Sequence, residues 1–259
     1  MAVEIHATAI ISKDAVIGDG VVIGPYCTVG AGVTLGKGVK LVSHVVIEGI
    51  AEIGEECTIH PFATIGLAPQ DLRYNGEKTG VRLGKNNIIR EYASIHRGSV
   101  GGSGLTEVGE SNFIMAYVHI GHDSKIGNSN ILANAATLAG HSTIEDFAFI
   151  GGLVAMHQQT RVGSYTMVGG CTGIVQDIPP YTMASDHRAK LYGLNIIGLK
   201  RRGFSEEAIN ALKKAYKILF RDKTPMAEAL EKIRNELPQT AEIKHLVEFI
   251  EKNKRGICR

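Results

Sequence analysis

The chain has 259 residues, a formal net charge of +2 and no tryptophan. A charge so nearly balanced argues against a nucleic-acid partner, and no run of about 18 apolar residues offers a membrane span. The opening stretch MAVEIHATAIISKDAVIGDG lacks a basic segment followed by an unbroken apolar run, so no secretory signal is expected and the expected location is cytoplasmic. Cys27, Cys57, Cys171 and Cys258 show no CxxC or other metal spacing and read as free thiols of a reducing compartment.

From the N-terminus an aliphatic residue recurs every six positions, at Ile5, Ile11, Ile17, Ile23, Val29, Leu35 and on to Ile65. The series returns at Leu83, Ile89 and Ile95, and again from Val108 to Ile174. Four residues after many of these aliphatics sits a second small apolar residue, as at Val21, Cys27, Val33 and Val39. Period six fits neither an amphipathic helix nor an ordinary strand; it fits a short strand and a corner, repeated. The small residue and the next aliphatic are two apart, so both point inward. Glycine after the aliphatic, as at Gly18, Gly24, Gly36 and Gly54, is expected to give the corner its backbone freedom. Three units close a triangular coil of eighteen residues, with coils stacked about 4.8 Å apart.

Two segments break the period, 67–80 (LAPQDLRYNGEKTG) and 99–106 (SVGGSGLT). Both are expected as loops thrown out of the coil, and long loops on a rigid scaffold often carry function. After Pro179-Pro180 the composition changes. Ser205–Asp222 has helical apolar spacing, and Thr224-Pro225 is expected to cap and open a second helix ending near Leu237. A third is expected from about Ala241 to Asn253. The expected domains are a β-helix over 1–187 and a helical domain over 188–259 that covers one end of the prism and hides its open strand edges.

The coil turns spacing into contact. His122, Gly140 and Gln158 fall in one corner column; Asp123, His141 and Gln159 fall beside it; Gly121, Ala139 and His157 form a third. His119 lies on the strand leading to His122. An imidazole of ordinary pKa, about 6.5, can take a proton from a hydroxyl near neutral pH, and a neighbouring carboxylate can fix its tautomer. Gly140 would bring an unobstructed N–H for an acyl-transfer oxyanion. The rival reading is zinc. The gamma-class carbonic anhydrases share this repeat and set three histidines around the metal. Here His122 and His157 approach that pattern, but the third position is Val162. No metal is therefore expected.

The repeat resembles the hexapeptide transferases, which implies a left-handed parallel β-helix. More closely, the chain resembles the acyl-carrier-protein-dependent UDP-N-acetylglucosamine 3-O-acyltransferases of lipid A biosynthesis. The matching segments are PQDLRY at 69–74, IREYASIHRG at 89–98, HIGHD at 119–123, ILANAATLAGH at 131–141, GGLVAMHQ at 151–158, MVGG at 167–170, QDIPPY at 176–181 and GLNIIGLKRRGFS at 193–205. The resemblance implies a 3-hydroxyacyl donor on acyl carrier protein, UDP-N-acetylglucosamine as acceptor, a homotrimer and no cofactor. It implies that His122 is the base, Asp123 orients it and Gly140 supplies the oxyanion donor. His119, His141, His157 and Gln158 would line the sugar and acyl site. Gln70, Asp71 and Arg73 would grip the acyl or amide part, in a loop expected to meet the His122 corner across subunits. His96 would lie near the nucleotide phosphates, and Asn195, Arg201 and Arg202 would hold the nucleotide. Gly170 would form part of a hydrocarbon ruler near Arg188.

There are departures from that family. Arg73 stands where lysine is common, Ile197 where an acidic residue is expected, Arg188 where a histidine is common and Gln159 where an aromatic follows HQ. The related N-acyltransferase of the same pathway has a similar histidine motif but lacks the QDL loop and the GLKRRGF segment. A non-catalytic scaffold would need the repeats alone, and the polar corner columns argue against it.

Overall fold

The computed structural model describes residues 2–259. Short strands form three sheets of eleven, nine and eight strands, each taking every third strand of the chain until the final two strands, which both close the largest sheet. The pairing is parallel and steps by eighteen residues, as in Val22 with Lys40 and Ile23 with Leu41. This is the expected left-handed parallel β-helix. The step lengthens at the two loops, where Ile50 pairs with Gly80 and Ser94 with His119. Each excursion leaves and rejoins the same stack, so coil register survives beyond it.

The interior is a column of aliphatic and small side chains, Val21, Ile23, Cys27, Val29 and their successors, almost all fully buried. Removing a Val, Leu or Ile side chain from water stabilises by about 1.5–3 kcal/mol, and here that gain repeats at every coil. Two polar columns interrupt it. Asn112 donates from its backbone N–H and Nδ2 to Asn87 Oδ1, Asn130 N–H donates to Asn112 Oδ1, and Ala148 N–H donates to Asn130 Oδ1. Thr106, Ser124, Ser142 and Thr160 form the second, beneath the corner that carries His122.

The corner glycines have a different purpose from the one expected. The left-handed backbone falls on non-glycine residues just before the small inward-facing position, apolar or polar, including Tyr26, His44, Tyr92, Asp123, His141 and Gln159. Gly18, Gly24, Gly36 and Gly54 are needed because coils stack so closely: a Cβ on Gly36 would lie 2.8 Å from Glu55 N, and one on Gly24 would overlap the Val42 carbonyl.

The last strands, Thr182–Ser185 and Lys190–Leu194, pair antiparallel and end the largest sheet. Four helices follow: α1 (Ile196–Arg201), α2 (Glu206–Phe220), α3 (Met226–Glu236) and α4 (Ala241–Glu251). Ser205 caps α2 by accepting from Ala208 N–H. For α3 the cap is Pro225 itself, not Thr224; its ψ of 144° keeps it extended, and the helix opens at Met226 without a side-chain cap. The short α1 is not evident in the periodicity. The helices seat on the final coils through Arg161, which bonds buried Asp177 and donates to Phe249 O. A second tie runs through His245, whose Nε2–H donates to Glu145 while its Nδ1 accepts from Tyr181. No helix is long and apolar enough to cross a membrane.

Candidate active site

Stacking places the expected columns together. His141 N–H donates to His122 O, and Gln159 N–H donates to Gly140 O. His122 Nδ1–H donates to Asp123 Oδ2 at 2.8 Å, since a carboxylate only accepts. That fixes the tautomer and leaves Nε2 as the acceptor nitrogen. The imidazole lies directly over Gly140: a Cβ there would be 2.6 Å from both Nε2 and Cε1. Among the described residues no acceptor takes the Gly140 N–H.

Asp123 is almost fully buried and held from several sides. Ser99 N–H donates to Oδ2 at 2.9 Å, Gly104 N–H to Oδ1 at 2.8 Å and Ser103 Oγ to Oδ1 at 3.3 Å. Its own N–H donates to Thr106 Oγ1. Burial pushes the carboxyl pKa up, but the bonds from His122, Ser99 and Gly104 and the nearby His141 outweigh it, and the pKa lies below its ordinary value. Asp123 is therefore an anion at neutral pH, suited to hold an imidazolium.

His122, Asp123 and His141 offer atoms within 4.8 Å of one another, the one cluster among the described residues that could be read as a metal site. Both Asp123 oxygens and His122 Nδ1 are already engaged in the bonds above. A metal would have to break that network, and the arrangement suits a hydrogen-bonded base and orienter instead.

Gln70, Asp71, Leu72 and Arg73 face His122, His141, Gln158 and Gln159 across a cleft of about 490 Å³. The loop expected to reach this corner from another subunit thus meets it within one chain. Arg73 grips Asp71 through Nε at 3.0 Å and Nη2 at 2.9 Å, and these bonds hold the Asp71 carboxyl far below the usual carboxylate range. His157, one coil beyond the His141 turn, is exposed and donates from Nδ1 to Gln158 O. Gln159, the departure after HQ, lines the cleft itself.

Behind His122 sit two further histidines. His119 Nδ1 shares a hydrogen with Ser94 Oγ at 2.8 Å, and His96 meets His119 edge to face at 4.9 Å. Burial first, then the charges of His119 and His122, push the His96 pKa down to about 4. Burial and His122 push His119 down as well. His96 is thus neutral near pH 7 and brings no positive charge to a phosphate.

Asn195, Arg201 and Arg202 gather elsewhere, in a second cleft of about 500 Å³ with Phe147, Tyr165 and the departure Ile197. Arg202 stacks over Phe147 at 4.7 Å. Asn195 caps α1: its Oδ1 accepts from Gly198 N–H and its Nδ2 donates to Tyr165 O. It anchors the segment that presents the two arginines. Gly170 lies on an exposed corner above Gly152, and Arg188 on the exposed turn between the last two strands; neither lines the His122 cleft.

The residues missed in the sequence are those of the second loop, Ser99, Gly102, Ser103 and Gly104. Gly102 packs so tightly that a Cβ would overlap the Asp123 carboxyl. The pattern SVGGSG, small hydroxyls around paired glycines, was the available signal: backbone that can approach closely and offer N–H donors.

Residues 177–258 match the family model described as UDP N-acetylglucosamine O-acyltransferase, domain 2, and residues 14–49 and 106–140 match the bacterial transferase hexapeptide repeat. The acyl-[acyl-carrier-protein]–UDP-N-acetylglucosamine O-acyltransferase of Thermodesulfovibrio yellowstonii is 67% identical over 256 residues, 99% of each chain. The UDP-N-acetylglucosamine O-acyltransferase of Moraxella catarrhalis superposes with a TM-score of 0.95 at 43% identity, covering 98% of this chain and 99% of that one. The UDP-N-acetylglucosamine acyltransferase of Francisella novicida gives 0.96 at 40% identity, covering 98% and 94%. The chain belongs to the acyl-[acyl-carrier-protein]–UDP-N-acetylglucosamine O-acyltransferase family.

Proposed function

We propose that the chain moves a 3-hydroxyacyl group from acyl carrier protein to the 3-hydroxyl of UDP-N-acetylglucosamine, the first step of lipid A biosynthesis, in the cytoplasm. The observation that carries this reading is the His122–Asp123 pair poised over the open Gly140 N–H. His122 Nε2 takes the acceptor hydroxyl proton as its oxygen attacks the thioester carbonyl. Asp123 stabilises the imidazolium that forms. The Gly140 N–H receives the developing oxyanion. Collapse breaks the C–S bond, and the imidazolium returns its proton to the leaving thiolate. Asp71, Arg73 and Gln70 grip the substrate's acyl or amide part, and His141, His157 and Gln158 line its path. Arg201 and Arg202 hold the nucleotide, with Phe147 stacking behind Arg202.

One chain carries the two groups of residues in separate clefts. A homotrimer of parallel prisms would bring the arginine cleft of one copy to the His122 cleft of the next. The fully exposed Leu72 at the loop tip supports such a neighbour. The test is transfer from 3-hydroxyacyl carrier protein to UDP-N-acetylglucosamine by purified protein, run beside the 3-amino sugar and alongside sedimentation. We expect a 3-O-acyl product and a trimer. Absence of transfer to either sugar, or a fully active monomer, would overturn the corresponding part.

A further inference from the structure

We propose that Ser99 is a positioning residue that ties the substrate-gripping loop to the catalytic pair, because it holds both carboxylates at once. The proposal rests on the acyltransferase reading above. Ser99 is fully buried at the start of the second loop. Its N–H donates to Asp123 Oδ2 at 2.9 Å, and its Oγ donates to Asp71 Oδ2 at 3.2 Å.

The other donors to Asp71 come from its own loop: Arg73 N–H and Nε to Oδ1, and Arg73 Nη2 to Oδ2. Asp71 and Arg73 therefore form a rigid local unit. Among the described residues, the Ser99 hydroxyl is the one hydrogen bond from that carboxylate to anything outside residues 71–73. The rest of the loop is tied through Tyr74, whose hydroxyl accepts from Arg97 Nε at 3.0 Å. Ser99 thus fixes how far the Asp71–Arg73 unit stands from His122. Its two contacts also separate cleanly. The N–H belongs to the backbone and survives any side-chain change, so Asp123 keeps its support. The hydroxyl acts only on Asp71.

The experiment is steady-state kinetics on Ser99→Ala, Ser99→Thr and Asp71→Ala, with the Ser99→Ala/Asp71→Ala double variant and His122→Ala assayed in parallel. Loss of a hydrogen bond to a charged group predicts a rise of about ten- to 150-fold in KM for Ser99→Ala. Its kcat should change less than threefold, and the acid limb of its pH profile should not move. Ser99→Thr should restore KM. In the double variant Ser99→Ala should add nothing to Asp71→Ala, since the bond is already gone. An unchanged KM, a loss confined to kcat, a shifted acid limb, failure of threonine to rescue, or additive effects in the double variant would each overturn the proposal. If Ser99→Ala does not fold, Ser99→Thr with Asp71→Ala still decides it: full KM in the first and a raised KM in the second are required. Normal turnover in His122→Ala would instead reject the underlying reading of the site.

Discussion

Gly140→Ala offers a demanding test, because the structure sets its size. The added Cβ would lie 2.6 Å from His122 Nε2 and Cε1 and 3.0 Å from Cδ2. Ordinary contact begins near 3.4 Å, so the ring must retreat by roughly 0.8 Å. It cannot do so freely, because its other nitrogen is bonded to Asp123 at 2.8 Å and Asp123 is fixed by two backbone N–H groups. Either the imidazole leaves its reactive position or the Asp123 bond lengthens. A displacement near 1 Å costs about a hundredfold in rate, and weakening a charge-assisted bond instead costs about 1.5–3 kcal/mol, roughly ten- to 150-fold. By either route we expect kcat to fall about 10- to 10²-fold. The backbone at Gly140 is not left-handed, so alanine adds no φ strain and the thermal midpoint should move little. The backbone N–H at this position would remain in the variant, so the loss would report on the ring. The assay is acyl transfer at saturating donor and acceptor, with circular dichroism to verify the fold. A folded variant with kcat within threefold of wild type would refute the claim that His122 is held against Gly140 for catalysis.

Three further outcomes follow from named contacts. Gly102→Ala, whose Cβ would overlap the Asp123 carboxyl, should push the second loop away and lower kcat about tenfold to a hundredfold; an unchanged kcat would mean the loop is only a cover. Stability should fall as pH drops from about 6.5 to 4, because the unfolded chain protonates His96 in that window while the folded chain, with a pKa of about 4, does not. The loss approaches about 3 kcal/mol, His119 shifts in the same direction, and denaturant titrations of His96→Gln at fixed protein concentration should show a flatter profile. Gly170 does not line the His122 cleft, so Gly170→Met tests whether the acyl tail leaves that cleft past the exposed Gly170 corner. If it does, donor preference moves toward shorter chains, since each buried methylene is worth about 0.8 kcal/mol, and an unchanged kcat/KM profile across graded donors places the ruler elsewhere.

The coil was legible because its cause is local. An inward aliphatic every sixth residue leaves few alternatives, and the same arithmetic stacks His122, Gly140 and Gln158 from spacing alone. The glycines were misread for a reason equally physical. Both a positive φ and a crowded Cβ favour glycine, and spacing alone does not separate them; Asp123 and His141 hold the left-handed positions instead. The support of Asp123 was invisible, because backbone N–H groups carry no residue label and the loop that supplies them has no period. Asn195 shows the same limit. Its side chain was assigned to a ligand, yet its partners are Gly198 and Tyr165, contacts created only once α1 packs on the corner.

The central claim is that His122 is the general base, and the measurement is kcat of His122→Ala with 3-hydroxyacyl carrier protein and UDP-N-acetylglucosamine. The side chain lies at a corner outside the aliphatic column, so folding and assembly should survive the change. The account predicts a fall of about 10²- to 10⁴-fold with the Asp123 network otherwise intact. A folded variant that turns over within threefold of wild type would contradict it.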